Sequence, residues 1–552
     1  MSARLALKLG PPRQFPKWFR GQAKTHFFHQ QTCNVTRRWY QARSGKATDL
    51  PFAYTWLTRT PDQIVSVPCC AQGDDTKLNQ QETPDDVLTS FPSTSSSLAE
   101  SGDVPILLVT PSFAHWFNSD NTFLEQWINR LYQNPTTPAP IHAVLAIVDR
   151  IPDPRPQSDI GGRKADTPDT LTESEGLALT FAKAENIAGK ASALRSVRST
   201  TTEESSLIFS IETTVPDTPG QSVRRPVHEV GLRLANTIFI NGNDTTLLGT
   251  RWVYDSSSSK YNLDQTLSLS SCVVRNFAQS LQSSFGLPLY PVSQRRKVIA
   301  SMGNILRQLA KHADDPSNEP MPASSELEKE LPRYIAEHNI ADRRVSVWAL
   351  VEKPGNNASS EATLTQDRLT SSVQAGGKLH RVMSGGGGWG KKQGLLSLDP
   401  ETSFLDPSDR GQLSSVDRLF SLGDVTPAGE SFASLDKYMM MDDLSSLSQV
   451  AEQGDYVQFF VSVEPKSEHT KLSELPDGGV TYRFGVLSDA ESLTSISPAH
   501  KELIAVPHYF GALTEKAIAY SQPKIDPDSK GGVLETSTKC DIPGCRVEMT
   551  LS

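Results

Sequence analysis

The sequence predicts an α/β protein: a mixed sheet with a parallel strand–helix–strand (βαβ) start, an antiparallel hairpin section and two central helices, broken by long disordered insertions. Three observations carry this. The continuous apolar runs Pro105–Thr110 and Ile141–Val148 flank a segment of helical spacing. Residues 294–312 and 326–338 also place apolar side chains at helical intervals. Between such segments Ser, Thr, Pro, Gly and Asp dominate, so hydrophobic residues reach only 37% and mean hydropathy is −0.38. The 552 residues are enough for two or three domains, but this composition leaves about 300 of them for a packed core.

The chain opens with an address. Its first 48 residues hold ten Arg or Lys and no acid; Asp49 is the first. Such a composition marks a mitochondrial transit peptide. At 100° per residue, Arg13, Lys17, Arg20 and Lys24 share one helical stripe, while Phe15, Trp18 and Phe19 lie opposite. The membrane potential favours inward movement of each cation by about 2.3 kcal/mol per 100 mV. Arg38-Trp39-Tyr40 resembles the Arg-x-Tyr processing signature, which places the cut after Tyr40, before Gln41, or a few residues further on. The presequence is therefore read as 1–46, the compartment as the mitochondrial matrix, and the import machinery as the first partner. A basic arm for nucleic acid or lipid is the other reading. Leu5–Leu9 is too short for a secretory signal. No apolar run reaches the roughly 18 residues that cross a bilayer.

Removing that segment changes the charge picture. The full chain carries 54 basic and 63 acidic residues, net −9. Without the ten leading cations the balance is 44 against 63, net −19. A body this acidic is a poor general binder of phosphate backbones, so general nucleic-acid binding is not expected.

The remaining elements follow in order. Residues 47–102 form a low-complexity linker, and 103–354 the main α/β core with loop insertions. Within it Asn121–Tyr132 is a helix, Gly176–Ala188 a strand or short helix, and Leu207–Thr213 a strand. Val230–Ile240 and Thr246–Tyr254 flank Asn241-Gly242-Asn243-Asp244, the signature of a hairpin. Leu263–Val274 alternates like a half-buried strand. The two helices follow, Gln294–His312 and Glu326–His338, the second capped by Ser324 or Ser325 and kinked or ended by Pro332. Val345–Glu352 is a strand. Residues 355–377 are linker, 378–399 a Gly-rich loop region, and 400–450 an acidic Ser-rich insertion. Residues 451–522 complete the core with strands at Tyr456–Glu464, Thr481–Leu487 and Leu503–Val506, and 523–552 is a disordered tail.

The densest local signal is Ser384 to Gly394. Gly385, Gly386, Gly387, Gly388, Trp389, Gly390, Lys391 and Lys392 formally satisfy the G-x-x-x-x-G-K phosphate loop. Lys392 stands where that loop needs Ser or Thr for magnesium, and no convincing helix follows. Three readings stay open: an anion or partner site with Arg381 beside it, a structural turn whose Trp389 packs into the core, or a flexible loop. His115 and Asp149 follow the two buried strands, where open α/β sheets place ligand groups. The cysteines offer no zinc tetrad; Cys540 and Cys545 are ordinary thiols or a local disulfide. No cofactor or metal is identified. The expected function is a matrix accessory or interaction protein that supports mitochondrial gene expression or complex assembly. The alternative is a matrix enzyme holding a phosphorylated or carboxylated small molecule at the glycine loop.

Import has a direct check. Deleting residues 1–46 should leave the protein in the cytosol, and N-terminal sequencing of the mature form should start near Gln41. Mitochondrial entry of the truncated chain would overturn the address.

Overall fold

A computed structural model describes residues 53–58, 84–90, 102–117, 122–133, 139–154, 173–192, 204–213, 226–235, 246–312, 319–338, 340, 345–354, 366–385, 394–405, 407–421, 449–462, 479–488, 503–525 and 533–552. The leading segment with Tyr40 and Gln41 lies outside them. Strands account for 55% of the described structure and helices for 18%, which replaces the expected α/β class with a mostly β architecture.

The first half builds one large sheet. It begins with β1 (Ala53–Thr58) and α1 (Pro84–Ser90). Next come β2 (Asp103–Val109), a short 3-10 helix at Pro111–Phe117, α2 (Phe123–Leu131) and β3 (Ile141–Ile147). β2 and β3 pair in parallel, and α2 buries Phe123, Leu124, Trp127, Ile128 and Leu131 against them. This strand–helix–strand unit is local and does not set the class. The sheet continues through β4 (Ile151–Pro152), β5 (Glu173–Lys183), β6 (Ile187–Ala191), β7 (Ser206–Thr213), β8 (Val227–Arg233), β9 (Leu247–Asp255) and β10 (Lys260–Ala278). β2 takes β5 antiparallel on its other side, and β3 takes β9 antiparallel.

The hairpin is one element later than expected. β8 pairs with β7, and β9 pairs with β3 and β10, so the strands around Asn241–Asp244 do not pair with each other. The turn lies between β9 and β10. There the Asp255 carboxylate accepts the Ser257 N–H at 2.9 Å, and Ser259 adopts φ +55°. A side-chain cap of this kind stabilises a turn without the Asn-Gly signature.

The first expected helix is a β-hairpin. After β11 (Leu281–Gly286) and β12 (Tyr290–Pro291), β13 (Arg296–Met302) and β14 (Ile305–Ala310) turn at Gly303, φ +59°. Glycine opening a two-residue loop is the usual hairpin chemistry. Bulges between Val298 and Ala300, and between Ala300 and Ser301, shift the pairing, so Leu306 and Leu309 both end up buried. Bulges thus turned a period of two into an apparent helical period. β15 (Pro320–Pro322) precedes the other expected helix, α3 (Ser324–Glu337), which runs through Pro332 without ending. Its N-cap is Ala323; the Ser324 hydroxyl donates instead to Glu328 at 2.8 Å.

A barrel follows. β16 (Val347–Glu352), α4 (Gln366–Gln374), β17 (Lys378–Gly385) and β18 (Leu396–Leu398) lead to α5 (Pro407–Arg410), β19 (Ser414–Ser415), α6 (Val416–Ser421) and β20 (Tyr456–Val461). β13, β14, β18, β17, β16 and β20 close on themselves as six antiparallel strands. Val298, Leu306, Ala349, Leu398 and Phe459 belong to its core, onto which α3 packs Leu327 and Tyr334. Closure removes sheet edges that would otherwise need cover.

The chain then returns to the large sheet. β22 (Ile504–Pro507) pairs with β1, while β21 (Val480–Val486) and β23 (Tyr509–Thr514) pair in parallel. The expected tail over 523–552 holds the end of β24 (Ile518–Ile525), then β25 (Val533–Cys540) and β26 (Arg546–Leu551). β26 sits inside a four-stranded sheet in the order β11-β26-β21-β23. That sheet packs on the large one, with Phe484 stacked on Phe209 at 5.0 Å. Arg546 is 7% exposed and donates to Glu173 at 2.8 Å and to the Cys545 carbonyl at 2.9 Å. Cys272, Cys540 and Cys545 are free and buried, so the local disulfide is not formed.

Replacing Arg546 with Ala strands the Glu173 carboxylate in the core. Urea unfolding should show a loss of about 3–5 kcal/mol, largely recovered by the double change Arg546→Met, Glu173→Leu. A loss below about 0.5 kcal/mol, the scale of a neutral surface substitution, would mean that the pair does not hold the two sheets.

Candidate functional site

The glycine loop leaves β17 at Gly385. A side chain there would meet the Leu395 carbonyl at 2.9 Å, so close strand approach explains this glycine. Gly386, Gly387, Gly388, Trp389, Gly390, Lys391 and Lys392 lie outside the described residues. Arg381 is committed to the body instead. It donates to Asp541 and to Ser346, both at 3.0 Å, and lies over the Trp348 ring.

The two strand-end candidates are separately engaged. His115 is exposed on the 3-10 helix, its ring 6.0 Å from that of Trp116. Asp149 accepts the Glu515 N–H at 2.8 Å. Burial raises its carboxyl pKa, and that N–H partly offsets the rise. The Leu513 carbonyl also accepts the Asp149 N–H at 3.1 Å. The β23–β24 connection therefore occupies the place where an open α/β sheet would hold a ligand.

Among the described residues, 399–405 and 407–421 fill a groove on the large sheet. Its first part fixes to β8 and β25. Glu401 takes Arg233 at 2.7 Å and Lys539 at 2.5 Å; Asp399 takes Lys539 at 2.8 Å. The Ser537 hydroxyl donates to the Thr402 carbonyl at 2.8 Å. Arg233 also lies 4.4 Å from the centre of the Phe404 ring. Leu405 forms a small apolar cluster with Ile208 and Val273.

The second part crosses the sheet edge. β19 adds to β6, with Ser414 opposite Gly189 and Ser415 opposite Ala188. Strand addition to an open edge is one of the recurrent ways of holding a peptide. Arg410 grips Glu229 with two hydrogen bonds, at 3.0 and 2.5 Å. Beyond the edge, Val416 and Phe420 enter the main core, each 2% exposed. Phe420 stacks on His142 at 5.0 Å, and Asp417 reaches the same imidazole at 3.3 Å.

Three strand glycines make room for these side chains. An added Cβ would meet Phe404 at 3.1 Å from Gly231 and Phe420 at 3.2 Å from Gly249; from Gly189 it would meet the Ser271 carbonyl of β10 at 3.1 Å and Leu419 at 3.2 Å. Each sits inside a β-prone run, where a lone glycine signals close approach. These three glycines are thus the sequence signal of the groove. Comparison with protein-family models, curated proteins and solved structures returns no match to this chain.

Buried imidazoles border this assembly. His380 Nδ1–H donates to the Asp399 carbonyl at 2.7 Å, and its Nε2 has no partner among the described residues. Desolvation lowers the pKa of His380 and of His228 to about 4. Desolvation also lowers His142; Asp417 opposes that shift and Arg251 adds to it. His380 and His228 stay neutral in the folded state down to about pH 4, while an unfolded imidazole takes up a proton below 6.5; His142 shifts in the same direction. Stability should therefore fall as pH drops from 6.5 toward 4, by up to about 1.4 kcal/mol per pH unit for each of His380 and His228. Urea midpoints at stepped pH test this, and His380→Gln should flatten the slope by about one proton. An unchanged slope would remove His380 from the account.

Proposed function

We propose that this chain is an interaction protein of the mitochondrial matrix, working as an accessory to a larger assembly. The carrying observation is the groove across β6, which already holds a peptide segment by strand addition, apolar anchors and a bidentate ion pair. Strand addition and apolar anchors in a groove are recurrent ways of holding another protein's segment. The basic, two-faced leader supports the compartment, and the net charge of −19 without it favours protein partners over nucleic acid. Support of mitochondrial gene expression or of complex assembly is the role that fits such a body in that compartment.

The reading is tested with the full chain fused to a proximity-labelling enzyme in intact cells. Labelled proteins should be matrix residents, concentrated in one large assembly that co-sediments with the chain. Labelling confined to the cytosol removes the compartment. A melting temperature raised by several degrees by a phosphorylated or carboxylated metabolite would favour the enzyme reading instead.

A further inference from the structure

We propose that residues 407–421 are an exchangeable occupant of the β6 groove, standing in for a partner segment of the same chemistry. This rests on the interaction reading above and names the partner class: a peptide with an arginine on a first helical turn, a two-residue strand of small polar residues, then an aliphatic–x–x–aliphatic–aromatic helical turn. In this chain those are Arg410, Ser414-Ser415, Val416 and Leu419-Phe420.

Four features argue for recognition rather than simple packing. The contact is modular: strand pairing fixes register, the glycine dents at Gly189 and Gly249 select bulk, and Glu229 selects a cation. The segment is inserted between two barrel strands, β18 and β20, yet all these contacts lie on the other sheet. Barrel closure does not use it. And its polar anchors are on the outside: Arg410 is exposed, and Asp409 meets Lys190 at 3.4 Å with both side chains about one-third exposed.

Val416 and Phe420 are too deeply buried to leave an empty groove behind. Exchange is therefore a replacement, in which the incoming segment supplies the same anchors as the departing one leaves. Tethering gives the internal segment an effective concentration on the order of millimolar. A free peptide competes only when the tethered copy is weakened or the peptide is abundant.

The probe is a fluorescent synthetic peptide of residues 407–421, titrated into the full chain. Wild-type protein should bind it weakly. Arg410→Glu in the protein sets the tethered segment against Glu229 while the probe keeps its arginine, so its Kd should tighten at least tenfold. Lys190→Ala should act differently, weakening tethered segment and probe alike and leaving Kd within about twofold. A probe carrying Phe420→Ala should lose binding to every variant. The proposal is overturned if Arg410→Glu folds with an unchanged melting temperature and binds no tighter than wild type. If that variant does not fold, wild-type protein in millimolar probe decides: native mass spectrometry must show a one-to-one complex, and its absence overturns the proposal. Neither result bears on the compartment or on labelling partners, so the wider function stands or falls separately.

Discussion

The architecture depends on a buried guanidinium. Arg546 lies between the large sheet and the four-stranded one, held by Glu173 of β5 and by the backbone carbonyls of Val486 and Cys545. Removing a charge from water is unfavourable unless a counter-charge and hydrogen bonds offset it. Here Nη1 and Nη2 are met by Glu173 and two carbonyls, Glu173 lying more than 300 positions away in sequence, while Nε has no partner among the described residues. A few residues earlier, Asp541 accepts the Trp348 indole N–H at 2.7 Å and Arg381 at 3.0 Å. The same terminal stretch thus binds the large sheet through β25, the second sheet through β26, and the barrel through Asp541.

That fixed geometry explains where the groove can exist. The barrel leans on the large sheet through Trp348 and Leu350, which share its main core. Residues leaving β18 therefore start close to β25 and β8, where Lys539 and Arg233 receive Asp399 and Glu401. From there the chain can reach the β6 edge without spanning open solvent. An unpaired edge is a liability for any large sheet. Here it is covered by only two residues of β19, with side-chain anchors on either side.

The mostly β class was not legible in the sequence, but individual elements were, wherever one burial environment governs a segment. The apolar runs that became β2, β3, β16 and β20 are buried throughout, so their character did not depend on register. The helical spacing of α2 was equally readable, because its one apolar stripe meets one sheet face. The failures share a cause. At β13–β14 two bulges rephased the side chains, and spacing alone cannot distinguish a rephased strand from a helix. At 533–552 the polar sequence LETSTKC suggested no core, yet β25 is paired along its whole length with β24. Pairing partners remote in sequence decide such segments, and local pattern carries no trace of them. The groove was half-legible: Gly189, Gly231 and Gly249 announced close approach, but not what approaches.

The same reasoning bears on the choice between an interaction role and catalysis. Parallel strands end in a crevice only where their neighbours diverge. β2 and β3 are one parallel pair within antiparallel surroundings, and their ends are filled. The Thr110 hydroxyl donates to the Gly176 carbonyl, and the Asp149 carboxylate accepts from Glu515. The Asp149 carboxylate thus closes the β23–β24 connection through a backbone hydrogen bond. The groove differs in that its features belong together: a β edge, a dent at Gly249 for the Phe420 ring and the Glu229 carboxylate for Arg410 all meet one segment of the chain.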